Sequence, residues 1–412
     1  MDTQTLDNPS GIPQLERQRL SAPAGWNSRR ARLADRLQGL RVCHLTPQRT
    51  RDERAFGREA LPAVAYGLQI AIIGPHSLTS RVGQVEFVAI PKSRSRLWRM
   101  LLSFRILRQA LKQNAQIYHV HSPEFVPAGL ALKLVFNKRV VYDTREDFPS
   151  MMLTKAYLPV RWRKPMSRIV SLVEKLAARF LNAVITADSG SLRPLAQTGK
   201  SRKLVLYNFP NLRFFPARDH AEKFYDLVYR GGLSDRAGTF VLLKALRLLV
   251  DRGLRARLLL FGYTDNAESE RQLRNELVFL GLEDLVTLHG RIPHEAMAST
   301  LSKARISVCP LQNIPKFMNN IPVKVFESWA CGLPVIATDL PPIRPFFQHG
   351  KLGLLVKPGD PVDLANAIRR LLTAPDLIEE FGRSARQAVF QRYNTSAEIH
   401  KLANLYGQVL AC

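Results

Sequence analysis

Residues 319–339 have the sequence NNIPVKVFESWACGLPVIATD, and this stretch decides the fold class. The opening asparagine pair can cap a helix, and Pro322 suits a first helical turn. Gly332 tolerates the positive φ with which many helices end. The apolar residues 334–337 suit a strand that is buried on both faces. The stretch therefore predicts a loop, a helix, a tight turn and a buried strand, which together form a unit of an α/β domain.

Polar residues at the start of this predicted helix favour a phosphorylated ligand. The free N–H groups and the partial positive charge of a helix N-terminus attract phosphate, and Lys324 adds a full charge. Glu327 lies one turn further on and can accept two hydrogen bonds from a diol such as a ribose. The pattern predicts a nucleotide diphosphate site that includes Asn319, Asn320, Lys324 and Glu327.

Strand and helix patterns alternate on both sides of a break at residues 208–211. Predicted strands of the first series lie at residues 41–45, 68–73, 117–121, 139–143, 183–186 and 203–206, and those of the second at residues 226–229, 257–261, 286–288 and 305–309. This alternation predicts parallel sheets with helices on both faces. A chain of 412 residues also exceeds what one hydrophobic core usually serves. We predict two doubly wound domains with the ligand in the cleft between them.

The composition along the chain suggests four segments. We predict a disordered basic tail over residues 1–36, a first Rossmann-like domain over residues 37–212, a second over residues 213–392, and a C-terminal helix over residues 393–412. The tail is polar and has no clear hydrophobic period, which is typical of disorder.

The net charge of +26 lies mostly in residues 1–200 and indicates an anionic partner for that half. Anionic lipid and nucleic acid are the two candidates, but the chain has no nucleic-acid-binding signature, so we expect no nucleic acid partner. We find no stretch of roughly 18 uncharged apolar residues and no signal-peptide core. The four cysteines are scattered without metal-ligand spacing, which is typical of a cytoplasmic protein.

Residues 319–339 resemble the donor-binding segment of family 4 glycosyltransferases, which have the GT-B fold. The matching positions are Pro322, Lys324, Glu327, Ala330, Gly332, Pro334 and Asp339. The first half is similar to the same family at residues 52–60, at HVHSPE (119–124) and at YDTREDFP (142–149). The resemblance covers about residues 37–408. It implies two Rossmann-like domains around a cleft, with the final helix packed back on the first domain.

The resemblance also implies a function and a set of site residues. The chain would be a retaining glycosyltransferase that moves a sugar from a nucleotide-diphosphate sugar to a lipid-linked or polysaccharide acceptor in cell-surface glycan biosynthesis. The implied catalytic residues are His121 and Glu327, the donor-binding residues are Gly231, Gly232, Arg236, Asn319, Asn320, Lys324 and Glu327, and the acceptor-binding residues are Asp143, Arg145 and Glu146. Two structural alternatives stay open: the histidine bonds to backbone, and the acidic residues pair with Arg145 and its neighbours.

The chain departs from the family pattern at several positions, including Ser122 and Arg145, which replace usual acidic and histidine residues. Gly232 and Ala237 stand where many relatives have cations that contact the diphosphate, and Asn319 replaces the first of two spaced glutamates. A catalytically weak sugar-binding or scaffold protein and a nucleotide-sugar epimerase of the same fold are therefore kept as alternatives. The sequence has no Asp-x-Asp motif, so we expect neither a metal nor another cofactor.

Two strongly basic stretches, residues 92–112 and 155–179, suggest a membrane partner. Basic helices with apolar neighbours lie well on anionic bilayers. We expect peripheral attachment to the inner face of the plasma membrane, near a lipid-linked acceptor. The alternative is that the apolar side chains pack into the domain core and the charges form a solvated face.

Overall fold

The computed structural model describes residues 26–47, 53–75, 79–90, 105–153, 155, 158–216, 222–348 and 351–411. Over these residues the chain forms two parallel sheets, each covered by helices. The predicted α/β class with two doubly wound domains is confirmed.

The first sheet has eight strands. They are β1 (Arg41–Leu45), β2 (Gln69–Pro75), β3 (Ser80–Val82), β4 (Val85–Ile90), β5 (Ile117–His121), β6 (Arg139–Thr144), β7 (Ala183–Thr186) and β8 (Arg202–Val205). Their order is β3-β4-β2-β1-β5-β6-β7-β8, and β3 is antiparallel to β4 while the other pairs are parallel. The central strands β5 and β7 are buried along their whole length, which parallel strands between two helix layers require.

Helices cover both faces of the first sheet. They are Trp26–Leu37, a helical stretch made of Glu53–Ala60, Leu61–Ala63 and Val64–Tyr66, residues 105–112, Pro123–Phe125, Val126–Leu134, Phe148–Leu153, Val160–Phe180, Ser189–Leu192, Arg193–Leu195 and Leu212–Phe214. The predicted basic helix at residues 92–112 is described only from residue 105 onward, and the rest of that prediction lies outside the described residues.

The second sheet has six parallel strands. They are β9 (Tyr225–Gly232), β10 (Leu258–Tyr263), β11 (Val286–His289), β12 (Ala304–Cys309), β13 (Val335–Thr338) and β14 (Gly353–Val356), in the order β11-β10-β9-β12-β13-β14. The helices of this half are Asp235–Ala237, Thr239–Asp251, Ala267–Phe279, His294–Ala296, Met297–Leu301, Val323–Ala330, Arg344–Gln348, Pro361–Leu372, Pro375–Gln391 and Thr395–Leu410.

The final helix, Thr395–Leu410, belongs to the core of the first domain. Leu402 and Tyr406 are fully buried in the same apolar cluster as Leu37 and Ile72. The helix therefore crosses back from the second domain, as expected for the fold class. Burial of its apolar face also holds the two halves of the chain together, because each Å² of apolar surface removed from water stabilises the folded protein by about 25 cal/mol.

The prediction of a disordered tail through residue 36 is wrong over its last third. Residues Trp26–Leu37 form a helix, and Leu33 and Leu37 pack against the final helix in the first-domain core. The segment shows no clear hydrophobic period in the sequence, because only Leu33, Ala34 and Leu37 among its described side chains pack in this core. Residues 1–25 lie outside the described residues.

Each sheet has one place where the strand order reverses. In the first sheet β1 has β2 on one side and β5 on the other, and in the second sheet β9 lies between β10 and β12. Connections leave such neighbours in opposite directions, so a crevice opens at their carboxyl ends. The two crevices are where side chains from loops and helix starts converge.

Candidate functional site

The crevice of the second domain lies at the carboxyl end of β9. This strand ends in Gly231 and Gly232, and Gly231 has a φ of 133°, which L side chains rarely adopt. A Cβ added to Gly231 would lie 3.0 Å from the Nζ atom of Lys324. The glycine therefore leaves room for the ammonium group directly against the strand end.

Lys324 lies in the first turn of the helix Val323–Ala330 and points to this strand end. Its Nζ is 3.4 Å from the hydroxyl of Tyr229 and 4.5 Å from the centroid of that ring. The Tyr229 hydroxyl in turn donates to the carbonyl of Gly232 at 2.8 Å. Burial alone would lower the pKa of Lys324, but Tyr229 and Cys309 outweigh it and raise that pKa above its usual value. The side chain is a fixed cation at neutral pH.

The helix starts differently from the prediction. Pro322, not an asparagine, is the N-cap, and no side chain caps this end. Asn319 instead donates from Nδ2 to Asp147 Oδ2 across the domain boundary at 3.1 Å, and its backbone lies against Gly190. Proline offers no capping oxygen, so the first N–H groups of the helix keep their capacity to bind an anion. Gly332 follows the helix with a φ of 72°, as predicted.

Glu327 is fully buried and joins the two domains. Its Oε2 lies 2.5 Å from the Arg230 guanidinium, and its Oε1 lies 3.3 Å from that of Arg58 in the first domain. In this arrangement the buried carboxylate faces two cations. Its predicted contact with a ribose stays a prediction, and Arg58 would have to move for it to form.

Arg236 does not join Lys324. Its guanidinium pairs with both carboxylate oxygens of Asp265 at 2.8 and 2.9 Å, and both side chains are about half exposed. The pair stands at the rim of the same strand ends, since Asp265 follows β10. The predicted contact of Arg236 with the donor stays a prediction.

A cavity of about 120 Å³ lies between the domains. Its walls come from both halves and include Arg145, Glu146, Asp188, Asn208, Asn320, Val323 and Phe326. Three residues predicted from the sequence, Arg145, Glu146 and Asn320, therefore meet in one space. The Glu146 carboxylate also lies 3.7 Å from Lys316 Nζ of the second domain. Typical ligand pockets hold about 300–1,000 Å³, so the cleft is narrower than a nucleotide sugar requires.

The prediction for Asp143 is corrected by the structure. This carboxylate is fully buried and pairs with Arg54 through two bonds of 2.6 and 2.7 Å, while His121 Nδ1 lies 2.9 Å from Oδ2. Burial would raise the pKa of Asp143, but Arg54 and His121 outweigh it and hold it well below its usual range. Asp143 therefore fixes its neighbours and has no surface for an acceptor hydroxyl. Its partner is Arg54, not Arg145.

His121 is fully buried and does not face an open cleft, contrary to the prediction. Its Nε2 is 2.8 Å from Nδ1 of His44, and it stacks on His119 with centroids 4.4 Å apart. The contacts of His121 with His44 and Asp143 give it a structural role in this arrangement. Burial holds the pKa values of His44 and His119 well below the usual value, and both rings are neutral.

The sequence alone did not indicate four residues of this region. Arg54, Arg58 and Glu59 lie on one helical segment, and His44 lies in β1. A histidine within the apolar strand RVCHL is the one available signal, because buried strands seldom carry an imidazole. The helix residues gave no signal, since charged residues on a helix usually form its solvated face.

A basic and apolar surface covers the helix Val160–Phe180. Its exposed apolar side chains are Trp162 (53%), Ile169 (52%), Leu172 (58%) and Phe180 (41%), and its exposed basic ones are Arg161, Lys164, Arg168, Lys175 and Arg179. At 100° per residue the two sets occupy adjacent strips of one helix face. The opposite face is anchored by Glu174, whose Oε1 accepts from Tyr142 and Thr144. Burial raises the pKa of Glu174 to about 7.

Apolar side chains at the end of the neighbouring helix extend this surface. Leu134, Val135 and Phe136 are 62%, 73% and 41% exposed. Within the described ranges, no helix combines the length and the hydropathy that a crossing of a bilayer requires.

Residues 212–388 match the family described as "Glycosyl transferases group 1". This range contains the crevice of β9, the Lys324 helix and β13. The match covers 177 of the 412 residues, almost all of them in the second domain. Among curated relatives, the Erwinia amylovora "Amylovoran biosynthesis glycosyltransferase AmsK" is 30% identical over 174 residues, which is 42% of each chain. The Arabidopsis thaliana "Sulfoquinovosyl transferase SQD2" is 25% identical over 324 residues, 74% of this chain and 59% of that protein. The matched stretches thus span about half the length of these relatives.

Solved structures extend the likeness to the whole fold. A sucrose-phosphate synthase from Thermosynechococcus elongatus superimposes with a TM-score of 0.73 at 20% identity, over 90% of this chain and 99% of that one. Anabaena HepE, solved with UDP and glucose, gives a TM-score of 0.67 at 16% identity over 90% and 100%. At these identities the likeness establishes the fold alone, and it is the GT-B fold.

Proposed function

We propose that the chain is a retaining glycosyltransferase that transfers a sugar from a nucleotide-diphosphate sugar to a glycan or lipid-linked acceptor in cell-surface glycan biosynthesis. The observation that carries the proposal is the fixed cation of Lys324 beside an uncapped helix N-terminus and the open backbone of Gly231. A diphosphate fits such a place, because both the N–H groups and the ammonium favour negative charge. HepE, of the same fold, was solved with UDP and glucose.

The proposed chemistry places the charge of Lys324 on the leaving group. Breaking the bond between the anomeric carbon and the diphosphate leaves a cation-like sugar and gathers negative charge on the phosphate oxygens. A fixed ammonium and aligned N–H groups stabilise that charge without reorganisation. We infer that these groups take the place of a metal bridge at the diphosphate, consistent with the lack of an Asp-x-Asp motif.

The narrow cleft implies that the domains separate before the donor enters. The polar contacts across the cleft include Arg58 with Glu327, Asn319 with Asp147, and Lys316 with Glu146. Polar contacts exchange for water at small net cost. Closure over the bound donor would then exclude water and limit its hydrolysis. Arg145 and Glu146 line the cavity on the first-domain side, where the proposal puts the acceptor.

A thermal-shift screen across UDP-, GDP-, ADP- and dTDP-sugars tests the donor site. One donor at 100 times its dissociation constant is expected to stabilise the protein by about 2.7 kcal/mol. The stabilising donor is then incubated with the protein and with extracted lipid-linked glycans, and transfer is followed with labelled sugar. The absence of any stabilisation contradicts the proposal. Turnover of the donor without an acceptor favours the epimerase.

The surface of the helix Val160–Phe180 supports peripheral binding to the anionic inner face of the plasma membrane. Its apolar strip can enter the headgroup region while the adjacent basic strip meets lipid phosphates. Each basic side chain near such a surface contributes about 1 kcal/mol. This position would bring the acceptor cleft of the first domain close to a lipid-linked substrate.

Co-sedimentation with vesicles measures this binding. Replacing Trp162, Ile169 and Leu172 together by glutamine is expected to lower the partition into anionic vesicles at least about tenfold, because three exposed apolar side chains no longer enter the bilayer. The matched control makes the same replacement at Val278 and Phe279 of the second domain, which are 63% and 83% exposed. This control should leave vesicle binding unchanged. Equal sedimentation with neutral and anionic vesicles would contradict the proposal.

A further inference from the structure

A second cluster of chemically reactive side chains lies in the crevice of the first domain. His44 ends near the carboxyl end of β1 and pairs in register with His119 of β5, and His121 follows two residues later on the same strand face. Glu59 enters from the helical segment Glu53–Ala60. All four side chains are buried, with exposures of 0 to 1%. The proposed sugar transfer uses neither His44 nor Glu59.

The four side chains converge on one point. One ligand atom from each lies within 4.8 Å of the other three. Glu59 Oε2 is 3.9 Å from His44 Nδ1, 3.7 Å from His119 Nδ1 and 3.7 Å from His121 Nε2. Four ligands at 2.0–2.2 Å around a tetrahedral zinc ion stand roughly 3.3–3.5 Å apart. The carboxylate oxygen would therefore move by a few tenths of an ångström, and His44 Nδ1 and His121 Nε2, which lie 2.8 Å apart, would separate by roughly half an ångström to complete such a site.

The hydrogen bonds around the cluster leave a gap at its centre. Neither oxygen of Glu59 has a hydrogen-bond partner among the described residues, although the Arg54 guanidinium lies 3.2 Å from Oε1. A buried carboxylate oxygen without a donor is costly. A cation between the four side chains would satisfy it, along with lone pairs of the three imidazoles.

The surroundings also orient one imidazole as a ligand. Asp143 is held as a carboxylate by its two bonds to Arg54, so it can only accept, and His121 Nδ1 carries the proton between them. The Nε2 of His121 therefore carries a lone pair, which faces His44 Nδ1 at 2.8 Å, and an ion would take the place of that hydrogen bond. A carboxylate behind a histidine is the usual outer support of a metal-binding imidazole.

From this arrangement we infer that His44, Glu59, His119 and His121 bind one divalent transition-metal ion, with zinc the best fit to three imidazoles and one carboxylate. Four protein ligands fill a tetrahedral zinc site, so the ion has a structural role and keeps no open position for substrate. Zinc fits this site better than magnesium or calcium, because those two ions prefer oxygen ligands. The ion would fix the helical segment that carries Glu59. The preceding residue of that segment, Arg58, contacts Glu327 of the second domain.

Two contacts compete with the ion, the one between His44 Nδ1 and His121 Nε2 and a second one that provides a control. The Tyr406 hydroxyl lies 2.7 Å from His119 Nδ1. In a cluster held by hydrogen bonds alone, this hydroxyl supplies the proton that His119 accepts. With a metal bound at Nδ1 the hydroxyl has to turn away, so its removal by Tyr406→Phe does not weaken the site.

The test uses full-length protein without an affinity tag. After dialysis against zinc and then buffer, elemental analysis is expected to give one zinc per chain, and cobalt substitution should give the visible absorption of a tetrahedral site. Glu59→Gln is expected to lower zinc affinity at least about 100-fold, while Tyr406→Phe retains it. A wild-type chain without stoichiometric metal, or a Glu59→Gln chain with unchanged affinity, overturns the inference.

If Glu59→Gln fails to fold, the cobalt spectrum and the zinc content of the wild-type chain still decide the question. Neither readout involves sugar transfer, so the inference and the proposed function can fail independently. The matched control for the substitution is Glu380→Gln, an exposed carboxylate of the second domain. It should leave zinc binding unchanged.

Discussion

Replacing Lys324 by alanine is expected to lower kcat/KM for sugar transfer about 100- to 1,000-fold, most of it in kcat. Removing one preorganised charge-stabilising group commonly has an effect of this size. The ammonium of Lys324 is fixed by the Tyr229 ring and hydroxyl and by the turn at Gly231. The alanine side chain leaves that space to water, which reorganises as the charge develops. Initial rates with the donor identified by thermal shift measure the loss.

Lys244→Ala is the matched control for this prediction. Lys244 is an exposed lysine on the helix Thr239–Asp251 of the same domain, so its loss changes the net charge equally and should leave the rate unchanged. A Lys324→Ala enzyme that keeps its rate would show that the diphosphate binds elsewhere. A rise in KM alone would mean that Lys324 binds the ground state and the transition state equally.

Replacing Glu327 by glutamine is expected to lower the free energy of unfolding by about 3 kcal/mol, because removing one partner of a buried ion pair leaves the other charge uncompensated. Here two guanidiniums lose a contact with a carboxylate, those of Arg58 and Arg230, which are only 10% and 19% exposed. Urea unfolding followed by circular dichroism measures the change.

A double substitution distinguishes the ion pair from simple repacking. Arg58→Met added to Glu327→Gln should recover part of the lost stability, since one uncompensated cation disappears. Glu380→Gln breaks the exposed pair with Lys351 and should leave stability nearly unchanged, because solvent screens such pairs. Additive effects of the Arg58 and Glu327 substitutions would argue against direct coupling across the domain boundary.

The two predictions concern one helix and separate its two roles. Lys324 lies at its start and faces the strand end, whereas Glu327 lies one turn further on and faces the other domain. The first substitution is expected to change the rate with little change in stability. The second is expected to change stability and the closure of the cleft.

The sequence of residues 319–339 was enough to predict the helix, the turn at Gly332, the buried strand and the charge of Lys324. These features depend on local chemistry: proline and glycine have restricted or permissive φ angles, and an apolar run that is flanked by a turn forms a strand. The regular alternation of strands and helices likewise predicted two doubly wound domains.

Local reasoning failed where partners came from distant parts of the chain. Asp143 meets Arg54 across 89 positions, and Glu327 meets Arg58 across 269. The helix pattern predicted Glu327, and the family resemblance implied Asp143, to be ligand-binding groups, since the local sequence is the same whether a carboxylate faces solvent or a buried guanidinium. The helix Trp26–Leu37 was missed because the surfaces on which it packs, the segment Val64–Tyr66 and the final helix more than 350 residues later, come from distant parts of the chain.

By itself, then, the sequence determined the two α/β domains and the charged helix start at Lys324, because periodicity, turn residues and helix ends act over a few neighbouring residues. Only the tertiary structure decided which side chains reach the cleft and which are neutralised inside it. The reversal of strand order beside β1 brings His44, His119 and His121 onto one face and closes Glu59 over them. Burial and pairing depend on such long-range contacts, and they decide whether a polar residue is available to a ligand.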